Sequence, residues 1–405
     1  MGETVGAILD RLQSLLGKGY LFAGLFPLLA GILFALPLVW AVDPEAPYSL
    51  RAYLALPASR LALYTATLLF LTLFASFLLW VMNSWFRSLL DGTAIPLGRR
   101  QFVAAQLRRY FALERRINEL QPDVVDFRAD GERWTADLRD ARERARRRGA
   151  SGASISDETQ DAHQRIVRAR DDGETVPARE MRELRDRLLI EFYRNTAEAV
   201  PDLRAIHDDF AGLLAYAASR AECELNRSLG EKLARFPATP GLIEPTDLAN
   251  SALANVDQMY QRYGMNVELF WPLLERFGRG DEKMNAWLEE SKLRLDFSVA
   301  MTTVCGAYVL AALPVLLVGR AEWWVFLCVA ALGPIGARTL YRMCVRNAHG
   351  LYATMRAAAE LYRFDLLKAL HCPLPADSDR ERELWTKLTR LGELGEGTIV
   401  YQHPA

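Results

Sequence analysis

Five arginines, Arg142, Arg144, Arg146, Arg147 and Arg148, fall within seven residues. Such density suits the phosphates of a nucleotide or oligonucleotide ligand. The simpler reading is a solvated helix end, where cations are favoured by the helix dipole. Asp137, Asp140 and Glu143 lie among these arginines, and no aromatic platform interleaves them. A second chemical pattern is uncharged. Thr65, Thr72, Ser76 and Asn83 are separated by 7, 4 and 7 residues, which places all four on one helix face. A hydroxyl and amide stripe of this kind can line an ion-passing pore, or it can hydrogen-bond to neighbouring helices.

Other chemistry is not written in the chain. The phosphate loop, the two-glycine dinucleotide fingerprint, the zincin His-Glu pair and the Gly-x-Ser-x-Gly elbow are all absent from the sequence. His163, His207, His349, His371 and His403 are far apart, with no cysteine or carboxylate set at metal-ligand spacing. Cys223, Cys305, Cys328, Cys344 and Cys372 form no disulfide framework. The expectation is a protein that is not an enzyme, with no catalytic residues, no metal and no cofactor.

The elements that must carry these residues are apolar helices. Tyr20–Val42, Leu61–Met82, Phe297–Val318 and Trp323–Ala337 contain no charged residue. About 20 apolar residues cross a hydrocarbon core of about 30 Å, so four transmembrane helices are predicted, the fourth the shortest. The first run has no basic leader and is too long for a secretory signal core. No Asp, Glu, Lys or Arg sits near the middle of any span, which disfavours a proton relay, a voltage sensor or a coupled transporter. Arg87, Arg99 and Arg100 follow the second span, Arg279, Lys283, Lys292 and Arg294 precede the third, and Arg338, Arg342 and Arg346 follow the fourth. The opposite loops hold only Arg51, Arg60 and Arg320. By the positive-inside rule both termini and the middle region are cytoplasmic, in a bacterial inner membrane.

The chain therefore divides into an interfacial amphipathic helix (1–19), spans one and two (20–82), a cytoplasmic helical domain (83–296), spans three and four (297–340) and C-terminal cytoplasmic helices (341–405). Strand-like alternation is almost absent, and the expected fold class is all-α, with a large cytoplasmic helical bundle. The pattern predicts helices over Gln101–Leu120, ending at Pro122, then Gly131–Arg148, Pro177–Asn195 and Asp202–Phe236. The small-residue run 149–154 is expected to be a mobile loop, and Thr398–Tyr401 a small edge strand.

Between the bundle and the third span lies a deliberate segment. Thr246 and Asp247 follow Pro245 as a helix start, and Gly264 after Tyr263 is a left-handed stop. Asn250 falls away from the apolar stripe of that helix, and Phe270, Trp271 and Pro272 are expected to turn the chain into a second short helix. Met284, Trp287, Leu288, Ser291 and Leu295 then hold a helical phase straight into the third span. Thr246, Asn250, Tyr263, Gly264, Trp271 and Pro272 are thus candidates for coupling a cytoplasmic event to a transmembrane helix. A rigid foot on the bundle is the alternative.

Two stretches carry a resemblance. Pro245-Thr246-Asp247-Leu248-Ala249-Asn250 with Tyr263-Gly264 and Trp271-Pro272, and Leu361-Tyr362-Arg363-Phe364-Asp365-Leu366-Leu367 with Leu384-Trp385, resemble a family of four-span bacterial membrane proteins. The similarity covers the chain from about Pro245 onward, the first two spans matching in layout. Family members more often read Pro-Thr-Arg-Leu-Gly-Asn at the first motif; Asp247 and Ala249 depart from it here, so a ligand contact through that arginine is not carried over. The layout is also similar to four-span membrane effectors of anti-phage defence, including the Hailong-type membrane component. That resemblance implies a homo-oligomeric, ligand-gated channel in the lipid bilayer and a partner enzyme that makes a nucleotide signal. A non-conducting scaffold presenting its cytoplasmic domain to a partner protein is the competing expectation.

Overall fold

The computed structural model describes residues 17–42, 57–94, 98–148, 155–194, 200–319 and 322–399. The amphipathic helix expected at the start, the loop 149–154 and most of the expected edge strand lie outside these residues. Among the described residues every element is helical. Helix α1 (Phe26–Val42) continues a helical turn, Lys18–Tyr20, and a π turn, Leu21–Leu25; α2 is Ala58–Val81 and α3 is Asn83–Leu90. There follow α4 (Arg99–Arg148), α5 (Asp157–Asp171), α6 (Ala178–Arg194) and α7 (Pro201–Arg235). Then come α8 (Asp247–Tyr263), α9 (Val267–Gly280), α10 (Glu282–Val318), α11 (Trp323–Ala369) and α12 (Ser378–Leu394). Four of them, the α1 region from Lys18, α2, α10 and α11, are long and apolar enough to cross a membrane.

The expected domain 83–296 does not form one compact body. The chain packs as two units, one formed by residues up to Leu107 together with those from Ala234, the other by Arg108–Leu233. The second unit closes its own core from α4 to α7. Leu138, Ile166, Met181, Leu184, Leu188, Leu203, Phe210 and Leu213 are each at most 1% exposed, and all belong to one apolar cluster. Trp134 lies in that cluster, with the guanidinium groups of Arg182 and Arg185 5.6 and 5.5 Å from its ring centre. Helix α5, which the sequence reading did not predict, supplies Ala162 and Ile166 to this core.

In the first unit α10 and α11 form a helix hairpin, and α1, α3, α8 and α9 pack around it. The helices do not stop where the apolar runs end. α10 holds 37 residues and α11 holds 47, each a continuous helix that joins an apolar run to its polar continuation, with Pro314 and Pro334 inside them. The first and second apolar helices meet where Gly24 lies against Ser76; a Cβ on Gly24 would come within 2.5 Å of the Ser76 carbonyl oxygen. The hydroxyls of Tyr20 and Ser76 are hydrogen-bonded there, and Tyr20 also donates to the Leu73 carbonyl at 3.1 Å.

One expected boundary is wrong. Pro122 does not end a helix: it lies inside α4, which also absorbs the helix expected from Gly131. Proline removes one backbone donor and crowds the preceding turn, at a cost of about 3 kcal/mol in a helix interior. Ile117, Leu120, Val124 and Phe127 flank it on both sides and all enter the same core, so burial holds the helix together across the proline. The carbonyl that loses its partner belongs to exposed Asn118, where water can reach it. Replacing Pro122→Ala should therefore raise the thermal unfolding midpoint of the detergent-solubilised chain, by up to about 3 kcal/mol of stability. A lowered midpoint would mean that the proline shapes a bend on which the core depends.

Candidate ligand cleft at the foot of the apolar helices

Helix α2 ends at Val81, and Met82, at φ −83° and ψ 1°, separates it from α3. Three polar residues, Asn83, Arg87 and Asp91, then recur every fourth position, which puts them on one face. That face meets α10 and α11. Asn83 donates from Nδ2 to Asp296 Oδ1 at 3.1 Å, and Arg87 donates from Nη2 to the Tyr352 hydroxyl at 2.6 Å. Beneath them Leu248, Leu295, Val299, Cys344, Ala348, Leu351 and Tyr352 form an apolar cluster, with Phe86 and Leu90 packed on it.

Arg87, Asp91, Asp296, Leu351 and Tyr352 form one wall of a cleft of about 760 Å³. The other walls are Asn255 of α8, Glu268, Trp271, Glu275 and Arg279 of α9, and Asn285, Glu289 and Lys292 of α10. Its charged lining comprises five carboxylates (Asp91, Glu268, Glu275, Glu289, Asp296) and three cations (Arg87, Arg279, Lys292). One cation is taken up locally, because Arg279 pairs with Glu275 at 2.9 Å. Burial pushes the Asp91 carboxyl up, Arg87 opposing it, and burial pushes Asp296 up against the pull of Lys292 and Arg87. Burial also works against the Arg87 charge, but Tyr352, Asp91 and Asp296 outweigh it and hold the guanidinium protonated. Asn255 is 6% exposed, and its Oδ1 has no hydrogen-bond partner.

The coupling candidates sit beside this cleft. Thr246 caps α8 by accepting from the Ala249 N–H at 3.3 Å, and its hydroxyl donates to the Asp91 carbonyl at 2.9 Å. The Leu248 N–H donates to the Tyr341 hydroxyl of α11 at 3.3 Å, and burial pushes that phenol up to about 12. Asn250, fully buried, clamps Glu244 through two bonds of 2.7 and 2.9 Å. Gln106 donates to Asp247 at 2.8 Å, so this aspartate is engaged within the protein. Gly264 ends α8 at φ 73°, and a Cβ there would run into the Thr386 hydroxyl and the Arg382 carbonyl, so this stop requires glycine. Tyr263 lies under the Arg262 and Arg363 guanidinium groups.

Trp271 and Pro272 depart from expectation: they do not turn the chain. The turn comes earlier, at Asn266, whose side chain accepts from the Glu268 and Leu269 N–H groups and starts α9 at Val267. A side-chain cap next to the Gly264 stop fixes the chain reversal, and Pro272 lies within α9.

The hydroxyl stripe divides. Thr65 is exposed and Thr72 partly so, their hydroxyls donating to the Leu61 and Leu68 carbonyls at 2.6 and 2.8 Å. Ser76 is fully buried against Tyr20, and Asn83 lies past the helix break, bonded to Asp296. The arginine run is placed in the second unit. Arg142 bonds Asp208 at 2.7 Å and His207 at 3.1 Å, Arg144 bonds the Asp140 carbonyl at 3.2 Å, and Arg147 bonds Glu143 at 2.9 Å. The Asp208 carboxyl is held down by its bond from His207 and then by Arg142. Arg146 is also engaged, and for Arg148 only the backbone is described.

Sequence reading missed the cleft residues Asn255, Asp296 and Tyr352, and used Arg87 only as an orientation marker. A signal was present: polar residues every fourth position just past one apolar run, and an aspartate just before another. Comparison with family models, curated proteins and solved structures finds no match for this chain.

The raised carboxyls make a prediction with a definite sign. A carboxyl whose folded value lies above its unfolded value contributes stability that is present below the unfolded value and lost as pH rises through the folded one. Asp296→Asn keeps the acceptor for Asn83 and removes the charge. The variant should unfold at a higher temperature than the parent at pH 7, with the gap narrowing towards pH 4. A lower midpoint at pH 7 would show that the Lys292 and Arg87 attractions outweigh burial.

Proposed function

We propose that this chain is an inner-membrane, homo-oligomeric ion channel or pore-type effector, with both termini cytoplasmic, gated by a cytoplasmic ligand or partner. The observation that carries the reading is the continuity of α10 and α11. Both line the polar cleft and both run without a joint into apolar segments long enough to cross a membrane. A ligand that favours one arrangement of the cleft walls therefore acts directly on spanning helices, which is the differential affinity that gating requires. Thr246 extends this linkage to the second span, since it bonds the Asp91 carbonyl beyond α3 while Leu248 bonds Tyr341.

Conduction requires several copies. Four spans in one protomer enclose no comfortable pore, and α2 is mostly uncovered within the protomer. Thr65 and Thr72 would face the pore, whereas Ser76 and Asn83 serve packing inside the protomer. A nucleotide or oligonucleotide made by a signal-producing partner enzyme, as the defence-effector resemblance implies, is the signal class to test first. A non-conducting scaffold is the second reading; the separately cored unit Arg108–Leu233 favours it as a surface for a partner protein.

Single-channel recording of the purified protein in planar bilayers, with nucleotides and short oligonucleotides on the cytoplasmic side, tests the proposal. Discrete steps are expected, and Thr65→Leu together with Thr72→Leu should abolish them while leaving the oligomer intact. A folded oligomer that stays silent with every signal would favour the scaffold. Thr246→Val should weaken the α8 cap by about 1 kcal/mol and blunt the current response without altering ligand binding. An unchanged response would remove Thr246 from the coupling route.

A further inference from the structure

We infer that the arginine stripe of α11, Arg338, Arg342 and Arg346, is a binding site for anionic phospholipid headgroups of the cytoplasmic leaflet. The inference rests on the inner-membrane reading and not on conduction. At about 100° per residue, Trp324, Leu327 and Ile335 share one face of α11 with these arginines. That face is uncovered: Trp324, Leu327 and Ile335 are 56%, 52% and 62% exposed, and all three arginines are exposed. Acyl chains and a headgroup thus meet consecutive parts of one surface, apolar up to Ile335 and cationic from Arg338. Trp324 and Arg342 lie about 27 Å apart along the helix axis, close to the hydrocarbon thickness of about 30 Å. An interfacial tryptophan at one boundary and arginines at the other fit that span.

Charge complementarity decides the lipid class. From Trp323 to Ala359 α11 contains no acidic residue, and among the described residues none of the three arginines has a hydrogen-bond or ion-pair partner. Other cations near the apolar helices are engaged: Arg87 bonds Tyr352, Arg99 pairs with Glu244 and Arg294 with Glu290. Like charges four residues apart on a helix repel, so this stripe is complemented only by an anion from outside the helix. Side chains lean toward the N-terminus of their own helix, which for α11 is its apolar end. Arg342 and Arg346 therefore lean back toward the boundary where lipid phosphates lie, and the guanidinium fork matches phosphate oxygens. A zwitterionic headgroup offsets its phosphate with its own ammonium, whereas an anionic one leaves a net charge for the arginines. Free phosphate meets the same cations but gains nothing from Ile335 and Leu327, so continuity with the apolar face commits the site to a lipid.

The full chain in a neutral detergent is titrated by calorimetry with a short-chain phosphatidylglycerol, in parallel with phosphatidylcholine of the same chain length and with inorganic phosphate, at constant ionic strength. Saturable binding of phosphatidylglycerol is expected, at least about tenfold tighter than phosphatidylcholine. Inorganic phosphate at equal concentration should not displace it. Arg338→Gln together with Arg342→Gln and Arg346→Gln should abolish the discrimination between the two lipids, with the unfolding midpoint unchanged or higher because the mutual repulsion is gone. If that variant unfolds early, Arg342→Gln alone is compared, and it should weaken phosphatidylglycerol about fivefold. Equal binding of the two lipids, displacement by phosphate, or discrimination that survives the glutamine replacements would overturn the site. Alkaline carbonate extraction of cell membranes separates this failure from that of the reading beneath it. A chain released by carbonate would end the inner-membrane reading and the site with it, whereas a chain retained in the membrane but indifferent to headgroup charge would end the site alone.

Discussion

The pairing of α10 with α11 governs the first unit. A helix hairpin that is apolar at its connected end and polar at the other can satisfy both environments without a break, provided the two helices keep one packing register along their length. Here Leu295, Val299, Cys344 and Ala348 set that register just where hydropathy changes. Small and medium side chains at the crossing let the axes approach closely, and Leu248, Phe86 and Leu90 complete the layer from two other elements. The polar cleft follows from this layer, because the residues one turn further along cannot be covered by the same apolar cluster. Arg87, Asp296 and Tyr352 occupy that step, and they satisfy one another only in part.

The helical class, the four apolar runs and the continuity of the third run with its upstream helix were all legible in the sequence. Each rests on local periodicity or on length against a membrane, signals that need no tertiary partner. The Thr246 cap and the Gly264 stop were equally legible, because their chemistry is local. The failures share a different cause. Pro122 marks a boundary only if nothing on either side pays for continuing, and that information lies in the distant α5 to α7 faces. Trp271 and Pro272 were given a turn that Asn266 makes, since a capping side chain two residues past a glycine stop is easily overlooked beside an aromatic cluster.

The candidate site was only half visible. A stripe computed at a fixed 100° per residue put Ser76 and Asn83 beside Thr65 and Thr72, and the phase is sound as far as Val81. What the stripe could not reveal is which neighbour claims each part of it. Gly24 draws Ser76 against the first apolar helix, and the break at Met82 hands Asn83 to Asp296. The arginine run illustrates the same limit from the other side: its charge was obvious, while the carboxylates that meet it come from Asp208 on α7 as well as from within α4.

The division into two units has a consequence for biosynthesis. The segment Arg108–Leu233 closes a core from contiguous chain, so it can condense as soon as it leaves the ribosome. The first unit cannot, because the partners of Asn83 and Arg87 are Asp296 and Tyr352. At about 5–20 residues per second the ribosome needs on the order of ten seconds or more to travel from one set to the other. During that interval Asn83 at the start of α3 and Arg87 within it lack these partners. A nascent chain stalled in this window would expose the whole inner face of α3, which makes the interval before α10 and α11 arrive the one in which a chaperone or an insertase has most to protect.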